Sequence, residues 1–302
     1  MRIAAIDIGT NTVLLLVADR GGGGQLRAVA ERATITRLGE GVDRTRQFAP
    51  AAVARTIACL TEYASVVREF GVARVAIVGT SAMRDARGGE ALQQAVRGLL
   101  GVEARVISGQ EEAQLTFRGA LSGLPATAKA EAVVFDIGGG STEVVVGRNE
   151  PLEVVLAESL EVGSVRLTER HGQDAAAIAR AVEAAIAHLP PIAPANVPVG
   201  VAGTMTTLAA VSMGLVPYDG ERVHGHTMSR DKLTAVVSRL AGLGVEERRA
   251  VAGMDPERAD VIVAGGLIAV ALLAHWGARA VRISNRGVRW GVAEQLLEHP
   301  TG

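Results

Sequence analysis

One pattern occurs twice in this chain and limits its architecture more than any other feature. Residues 3–6 are an apolar run that ends in Asp7, followed by Ile8-Gly9-Thr10-Asn11-Thr12 and a second apolar run over residues 13–17. Residues 132–135 are again apolar and end in Asp136, followed by Ile137-Gly138-Gly139-Gly140-Ser141-Thr142-Glu143 and the apolar residues 144–146. Short apolar runs bounded by turn residues read as strands, so each copy is strand, Asp-Ile-Gly, hydroxyl-bearing turn, strand. Self-similarity of this kind marks an internally duplicated fold with one copy per domain. A length of 302 residues agrees with two domains.

The remaining pattern alternates helices and strands. Val53, Ile57, Leu60, Ala64, Val67 and Phe70 have the spacing of a core-facing helix. Residues 74–78 read as a strand ending at Gly79-Thr80-Ser81, residues 90–100 as a helix and 102–107 as a strand. Ser108 stands three residues before Glu111, a capping-box signature for a helix running to residue 121. Residues 21–24 read as a surface hairpin loop and 122–130 as a linker. The expected domains are therefore 1–123 and 124–302, with the last helix able to pack back on the first. In the second half, the pattern predicts a helix over 175–187, a break at Pro190, Pro191 and Pro194, and a strand over 197–201 running into Gly203-Thr204, which opens a helix. A polar loop over 217–227, two helices, a strand over 280–283, an Asn285-Arg286-Gly287 turn and a terminal helix complete the chain. Apolar residues make up 48% and aromatic ones only 3%, so the cores must be aliphatic, as suits a mixed or parallel sheet covered by helices. The fold class is α/β.

Bulk properties exclude several functions. A net charge of −1 gives no global field to gather nucleic acid, so any phosphate site must be local. The basic residues are nearly all arginine, which suits phosphate but is read first as the bias of a GC-rich genome, so the count carries no function. The one cysteine, Cys59, falls in an apolar helical pattern and reads as a reduced core thiol. Arg2 leads straight into a strand-like run, so no signal peptide is expected, and residues 261–276 are too short for a membrane span. The expectation is a cytoplasmic protein with no membrane and no nucleic-acid partner.

The two turns carry the chemistry. Glycine lets a backbone approach a ligand closely, and consecutive N–H groups with hydroxyls make an anion cradle. The candidates are Asp7, Gly9, Thr10, Asn11 and Thr12 in the first copy and Asp136, Gly138, Gly139, Gly140, Ser141 and Thr142 in the second. A single such turn is an ordinary hairpin. A pair, each after a buried strand, reads as two jaws for a phosphate chain.

IAAIDIGTNTVLLLVAD and VVFDIGGGSTEVVVG resemble the two phosphate loops of the exopolyphosphatase/guanosine pentaphosphatase family. The resemblance continues through GTSAMRDA, VISGQEEAQLTFRGAL, VAGTMTTLAA, VHGHTMS and ERADVIVAGG, in order along nearly the whole chain. It implies the duplicated actin-like ATPase fold (ASKHA, ribonuclease H-like), two domains with a cleft between them. It also implies hydrolysis of terminal phosphoanhydride bonds of inorganic polyphosphate, guanosine pentaphosphate or both, and a homodimer. The resemblance places the general base on a glutamate of the Ser-Gly-x-Glu-Glu helix. Glu111 occupies the capping position, so Glu112 is the expected base, with Glu111 the alternative. Neighbouring phosphate charge would raise the affinity of such a base for protons. Glu143 is expected to hold a metal-bound or attacking water, and Asp136 a divalent ion, because three glycines leave room beside it. Mg²⁺ or another divalent cation is the implied cofactor, with K⁺ a further candidate. Arg84 and Arg258 are expected phosphate clamps, with surface arginines the bland alternative. His224 and His226 lack further ligands at metal spacing and read as loop packing. The family usually carries Asp and Glu where this chain has Asn285 and Trp290, and its long forms add C-terminal helical domains. Two other functions fit the same turns: an ATP-dependent small-molecule kinase, or a sensor that binds polyphosphate or nucleotide without turnover.

Overall fold

The structure is a computed structural model that describes residues 1–21, 26–124, 131–148, 153–192 and 197–298. Most of the 21–24 loop, most of the 122–130 linker and Pro194 lie outside the described residues. The chain forms two compact units, Met1–Gly119 with Val288–Gly302, and Ala120–Gly287.

The first unit is built on β1 (Arg2–Ile8), β2 (Thr12–Arg20), β3 (Leu26–Ile35), β4 (Arg74–Gly79) and β5 (Ala104–Val106), in the order β3-β2-β1-β4-β5. The first three form an antiparallel meander, while β1, β4 and β5 run parallel. Successive strand residues point to opposite faces, and β1 uses both. Ala4, Ile6 and Ile8 join one core with Leu60 and Val67 of the helix Pro50–Glu69 and Leu92 and Val96 of the helix Glu90–Leu100. Ile3 and Ala5 join another with Leu115 of the helix Gly109–Leu121 and Trp290, Val292 and Ala293 of the helix Val288–Glu298. Trp290 therefore serves as a core residue of this unit. The alternation puts Asp7 on the same sheet face as Ile3, Ala5 and the helix that carries Glu112.

Cys59 is buried in the first core, and burial pushes its thiol pKa up, as an inert core thiol requires. Tyr63 beside it donates to the Val13 carbonyl (3.0 Å) and shares a hydrogen bond with the Thr34 hydroxyl (2.9 Å). Burial also raises the Tyr63 phenol pKa. A phenol held neutral in the folded state stabilises until the unfolded chain begins to ionise at about pH 10, and that contribution falls as pH rises further. Tyr63→Phe should therefore lower stability by about 1 kcal/mol at neutral pH and flatten the alkaline fall in stability. Urea titrations at pH 7.5 and pH 10.5 test this, and equal slopes for both proteins between the two pH values would refute it.

The second unit is built on β6 (Ala132–Ile137), β7 (Thr142–Arg148), β8 (Glu153–Leu160), β9 (Val199–Val201), β10 (Thr227–Ser229) and β11 (Ala280–Ile283), in the order β10-β11-β9-β6-β7-β8. Read from the far edge, β8-β7-β6-β9-β11 repeats β3-β2-β1-β4-β5, including the directions of its strands. Even the register irregularity recurs, at Val17/Ala18 in one copy and Val146/Gly147 in the other. The short antiparallel β10 is an addition to the repeat. Val133, Phe135 and Ile137 anchor a core with the helices Ala175–Ile186, Ala202–Met213, Arg230–Ala241 and Ile262–His275. Phe135 and Trp276 pack with ring centroids 6.1 Å apart. The apolar stretch near residue 270 is thus a core helix, and among the described residues no helix is long and apolar enough to cross a membrane.

Candidate functional site

The two turns close in the same way. Gly9 N–H donates to the Thr12 carbonyl (3.1 Å), and Gly138 N–H to the Ser141 carbonyl (3.0 Å). A Cβ on Gly9 would stand 2.9 Å from the Thr12 carbonyl oxygen, which explains glycine there. The carbonyls of each loop are then taken by the segment behind it. In the first copy, Gly39 N–H donates to Thr10, and the Thr36 and Arg37 N–H groups both donate to Asn11. In the second, Ser164 N–H donates to Gly138 (2.9 Å), the Val165 and Arg166 N–H groups to Gly139 (2.9 and 3.0 Å), and Arg166 Nε to Gly140 (2.6 Å). In a trans peptide the C=O and the following N–H point opposite ways. The N–H groups of Asn11 and Thr12, and those of Gly139, Gly140 and Ser141, are therefore turned away from the backing segments. Converging N–H groups of this kind are the backbone arrangement to which anions bind.

In the first unit, the carboxyl ends of three parallel strands assemble around this loop. Thr80 N–H donates to the Ile8 carbonyl (3.2 Å), and Ile107 N–H to the Gly79 carbonyl (3.0 Å). Ligands of open α/β sheets bind at this edge. Asp7 and Asn11 are buried here, and neither Nδ2 nor Oδ1 of Asn11 has a hydrogen-bond partner among the described residues. An orphaned buried amide is costly, about 1–3 kcal/mol per group, unless a ligand satisfies it. Glu112 is also buried and accepts from Arg84 Nη1 at 2.5 Å, while the same nitrogen donates to the Ile107 carbonyl at 3.1 Å. Arg84 thus holds Glu112 directly. The expected capping box forms only by half. Ser108 Oγ accepts from Glu111 N–H (3.1 Å), but the Glu111 carboxylate pairs with Arg105 rather than turning back to the helix start. A nearby guanidinium out-competes a neutral N–H for a carboxylate. The two glutamates are therefore distinct, Glu111 at the surface with Arg105 and Glu112 inside with Arg84.

In the second unit, Asp136 on β6 and Glu143 on β7 are direct cross-strand partners, so their side chains share a face. Ser159 of β8 is the next partner along the row. Glu143 is 1% exposed, and its Oε1 accepts from Ser141 Oγ (2.7 Å) and Ser159 Oγ (2.8 Å). Two donors on one oxygen fix the carboxylate's orientation. The first copy differs at this place, where Leu14 stands opposite Asp7. Thr204 Oγ1 donates to the Ile137 carbonyl (3.3 Å). Just before it, Ala202 has φ +69°, a left-handed conformation that is strained for alanine. Gly203 lies against the Arg258 guanidinium, where an added Cβ would stand 2.6 Å from Nη2. Burial pushes the Arg258 pKa below its ordinary value, and Asp255 Oδ2 pairs with its Nε at 3.3 Å. From the third strand end, Ser284 N–H donates to the Gly200 carbonyl, and Gly287 approaches the Asp136 carboxylate, with 3.7 Å from an ideal Cβ to Oδ2. His224 Nδ1 lies 3.4 Å from Ser284 Oγ, consistent with loop packing. Among the described residues, no three His, Cys, Asp or Glu side chains gather as a metal cluster. The Asp136–Glu143 pair nevertheless fits Mg²⁺, which is usually bound by one or two carboxylates with the remaining positions left to substrate phosphate and water.

The model of one known family, the Ppx/GppA phosphatases, matches residues 16–299. The chain belongs to the Ppx/GppA phosphatase family. Over 318 aligned residues it is 40% identical to exopolyphosphatase 2 of Mycobacterium tuberculosis, covering 98% of both chains. It is 28% identical to a guanosine-5'-triphosphate,3'-diphosphate pyrophosphatase of Vibrio atlanticus, over 98% of this chain and 59% of that one. The crystal structure of the Aquifex aeolicus Ppx/GppA family member superposes with a TM-score of 0.83 at 30% identity, covering 100% and 99% of the two chains. The fold of this Ppx/GppA chain is accordingly the two-domain actin-like α/β type. Within it, Asp7, Gly9, Thr10, Asn11, Thr12, Arg84 and Glu112 gather in the first unit. Asp136, Gly138, Gly139, Gly140, Ser141, Thr142, Glu143 and Arg258 gather in the second. Sequence reasoning missed the residues that back the loops, namely Gly39, Gly163, Ser164 and Arg166, together with Ser159 and Gly287. The one cue available was Gly163-Ser164 after an apolar residue, a helix-start signal.

Proposed function

We propose that this chain hydrolyses terminal phosphoanhydride bonds of inorganic polyphosphate, guanosine pentaphosphate, or both. The supporting observation is the repeated nest of N–H groups at a carboxyl sheet edge, accompanied by a buried acid in each unit. The outward N–H groups of Asn11 and Thr12 and of Gly139, Gly140 and Ser141 bind phosphate oxygens without adding charge of their own. Arg258, already partly desolvated, supplies a cation within the second unit. Glu112 removes the proton from water as the water oxygen attacks the terminal phosphorus. The bridging P–O bond breaks, and the shortened phosphate chain leaves with that oxygen. Arg84 orients the Glu112 carboxylate between turnovers. Asp136 and Glu143 would hold a divalent cation such as Mg²⁺, which supplies charge neutralisation on phosphate. Ser141 and Ser159 fix the orientation of Glu143 through one of its oxygens.

The test is phosphate release by the purified chain from polyphosphate, guanosine pentaphosphate and ATP, each with Mg²⁺. Release from either of the first two without an added acceptor is expected. Release from ATP that requires an acceptor would replace the proposal with a kinase, and binding without any release would replace it with a sensor.

A further inference from the structure

The chain has few aromatic side chains, and all but one are buried or partly buried: Phe48, Tyr63, Phe70, Phe117, Phe135, Trp276 and Trp290. Tyr218 is the exception at 54% exposed, with its neighbours Val216 and Pro217 also exposed. An inorganic phosphate chain offers an aromatic ring nothing to pack against, so the place of this ring matters.

Tyr218 stands at the same sheet edge as the second-unit site. Its ring edge lies 3.5 Å from where a Cβ of Gly220 would be, and its hydroxyl oxygen 3.8 Å from that point. The Gly220 carbonyl accepts from Asn285 Nδ2 at 3.0 Å. Asn285 begins the turn whose Gly287 borders the Asp136 carboxylate. Two residues span at most about 7.6 Å between Cα atoms, so one short turn joins the ring's anchor to the residue beside the Asp136 carboxylate. An exposed ring is thus tied, through one hydrogen bond and one short turn, to the residue that borders the Asp136 carboxylate. Base–aromatic stacking needs such a platform, and it tolerates any base because every base has a π-face.

We propose that Tyr218, held by the Asn285–Gly220 hydrogen bond, is the stacking platform for the nucleobase of a guanosine polyphosphate whose phosphates occupy the second-unit nest. This rests on the hydrolase reading above and narrows its substrate class. Asn285 matters as a donor, because an aspartate there would set a carboxylate against the Gly220 carbonyl and release the platform.

The test compares kcat/KM for guanosine pentaphosphate and for polyphosphate in the wild type, Tyr218→Ala, Tyr218→Phe and Asn285→Asp, with oligomeric state checked for each. Tyr218→Ala should lower the ratio of the two constants, pentaphosphate over polyphosphate, by roughly tenfold or more, mainly through KM, as expected for one lost stack. Tyr218→Phe should keep the ratio, and Asn285→Asp should shift it in the same direction as Tyr218→Ala. Calorimetric binding of GDP should weaken in Tyr218→Ala by a similar factor, and this readout does not need turnover. A wild type that binds GDP but releases phosphate from neither substrate would sink the hydrolase reading and leave the platform standing. An unchanged ratio with unchanged GDP binding, or a Tyr218→Ala protein whose main change is its oligomeric state, would overturn the platform and assign the exposed strip to a protein contact.

Discussion

Glu112→Gln is expected to lower kcat on polyphosphate by about 10²- to 10⁴-fold while leaving polyphosphate binding near the wild-type level. Glutamine keeps the size of the side chain and can still accept from Arg84, so the packing at the start of the helix Gly109–Leu121 survives. What disappears is the capacity to take a proton. The control is the adjacent residue. Glu111→Gln removes only a surface pair with Arg105, and such pairs contribute little. Its kcat should stay within about twofold of wild type, because nothing that touches the site has changed. Steady-state kinetics and a binding titration on the three proteins decide the matter. A Glu112→Gln enzyme with wild-type turnover would move the base elsewhere, with Glu111 and Glu143 the next to test.

The second large effect is expected at a residue that carries no functional group. Gly163 has an extended backbone (φ −148°), so any residue could adopt its conformation. Its restriction is space. A Cβ would stand 2.6 Å from the carbonyl carbons of both Gly139 and Gly140 and closer still to the Gly139 oxygen. These are backbone atoms and cannot rotate aside. Gly163→Ala must displace the second loop or the start of the helix Ser164–His171, and with it the hydrogen bonds that turn three N–H groups outward. A displacement near 1 Å at such a site costs on the order of 10²-fold in kcat/KM. The melting temperature should fall as well. Gly98→Ala is the comparison, since a Cβ there meets nothing and the residue lies in a helix, where alanine is favoured by roughly 0.5–1 kcal/mol. Wild-type kcat/KM in Gly163→Ala would show that the loop does not need its backing.

Much of this was legible in the amino-acid sequence because the signals are local. The two Asp-Ile-Gly turns, the helices Glu90–Leu100 and Ala202–Met213 and the terminal helix follow from runs, periodicity and turn residues. Less was legible where pairing decides structure. β3 and β8 carry charged residues between apolar ones and are outer strands of the meanders, so their form depends on the neighbour they bond. β5 covers only residues 104–106 of the expected 102–107. The partner of the Glu111 carboxylate could not be read from spacing, because Arg105 lies in a different element and competes with the helix start. The backing of the loops was hidden for the same reason. Gly39 and Gly163 act on backbone 23 or more residues away in the sequence, through contacts that no local pattern encodes.

Leu14 opposite Asp7, where the other copy has Glu143 opposite Asp136, carries a consequence for how a doubled scaffold divides its labour. The repeat preserves strand order, turn closure and even a bulge, yet it does not preserve this carboxylate. The first copy sets Asp7 against an aliphatic side chain, and its other buried acid, Glu112, comes from a helix rather than from the hairpin. The second copy sets two carboxylates opposite one another across a single hairpin. Exchanging the halves would therefore not regenerate the same arrangement, since one hairpin carries the facing acids and the other does not.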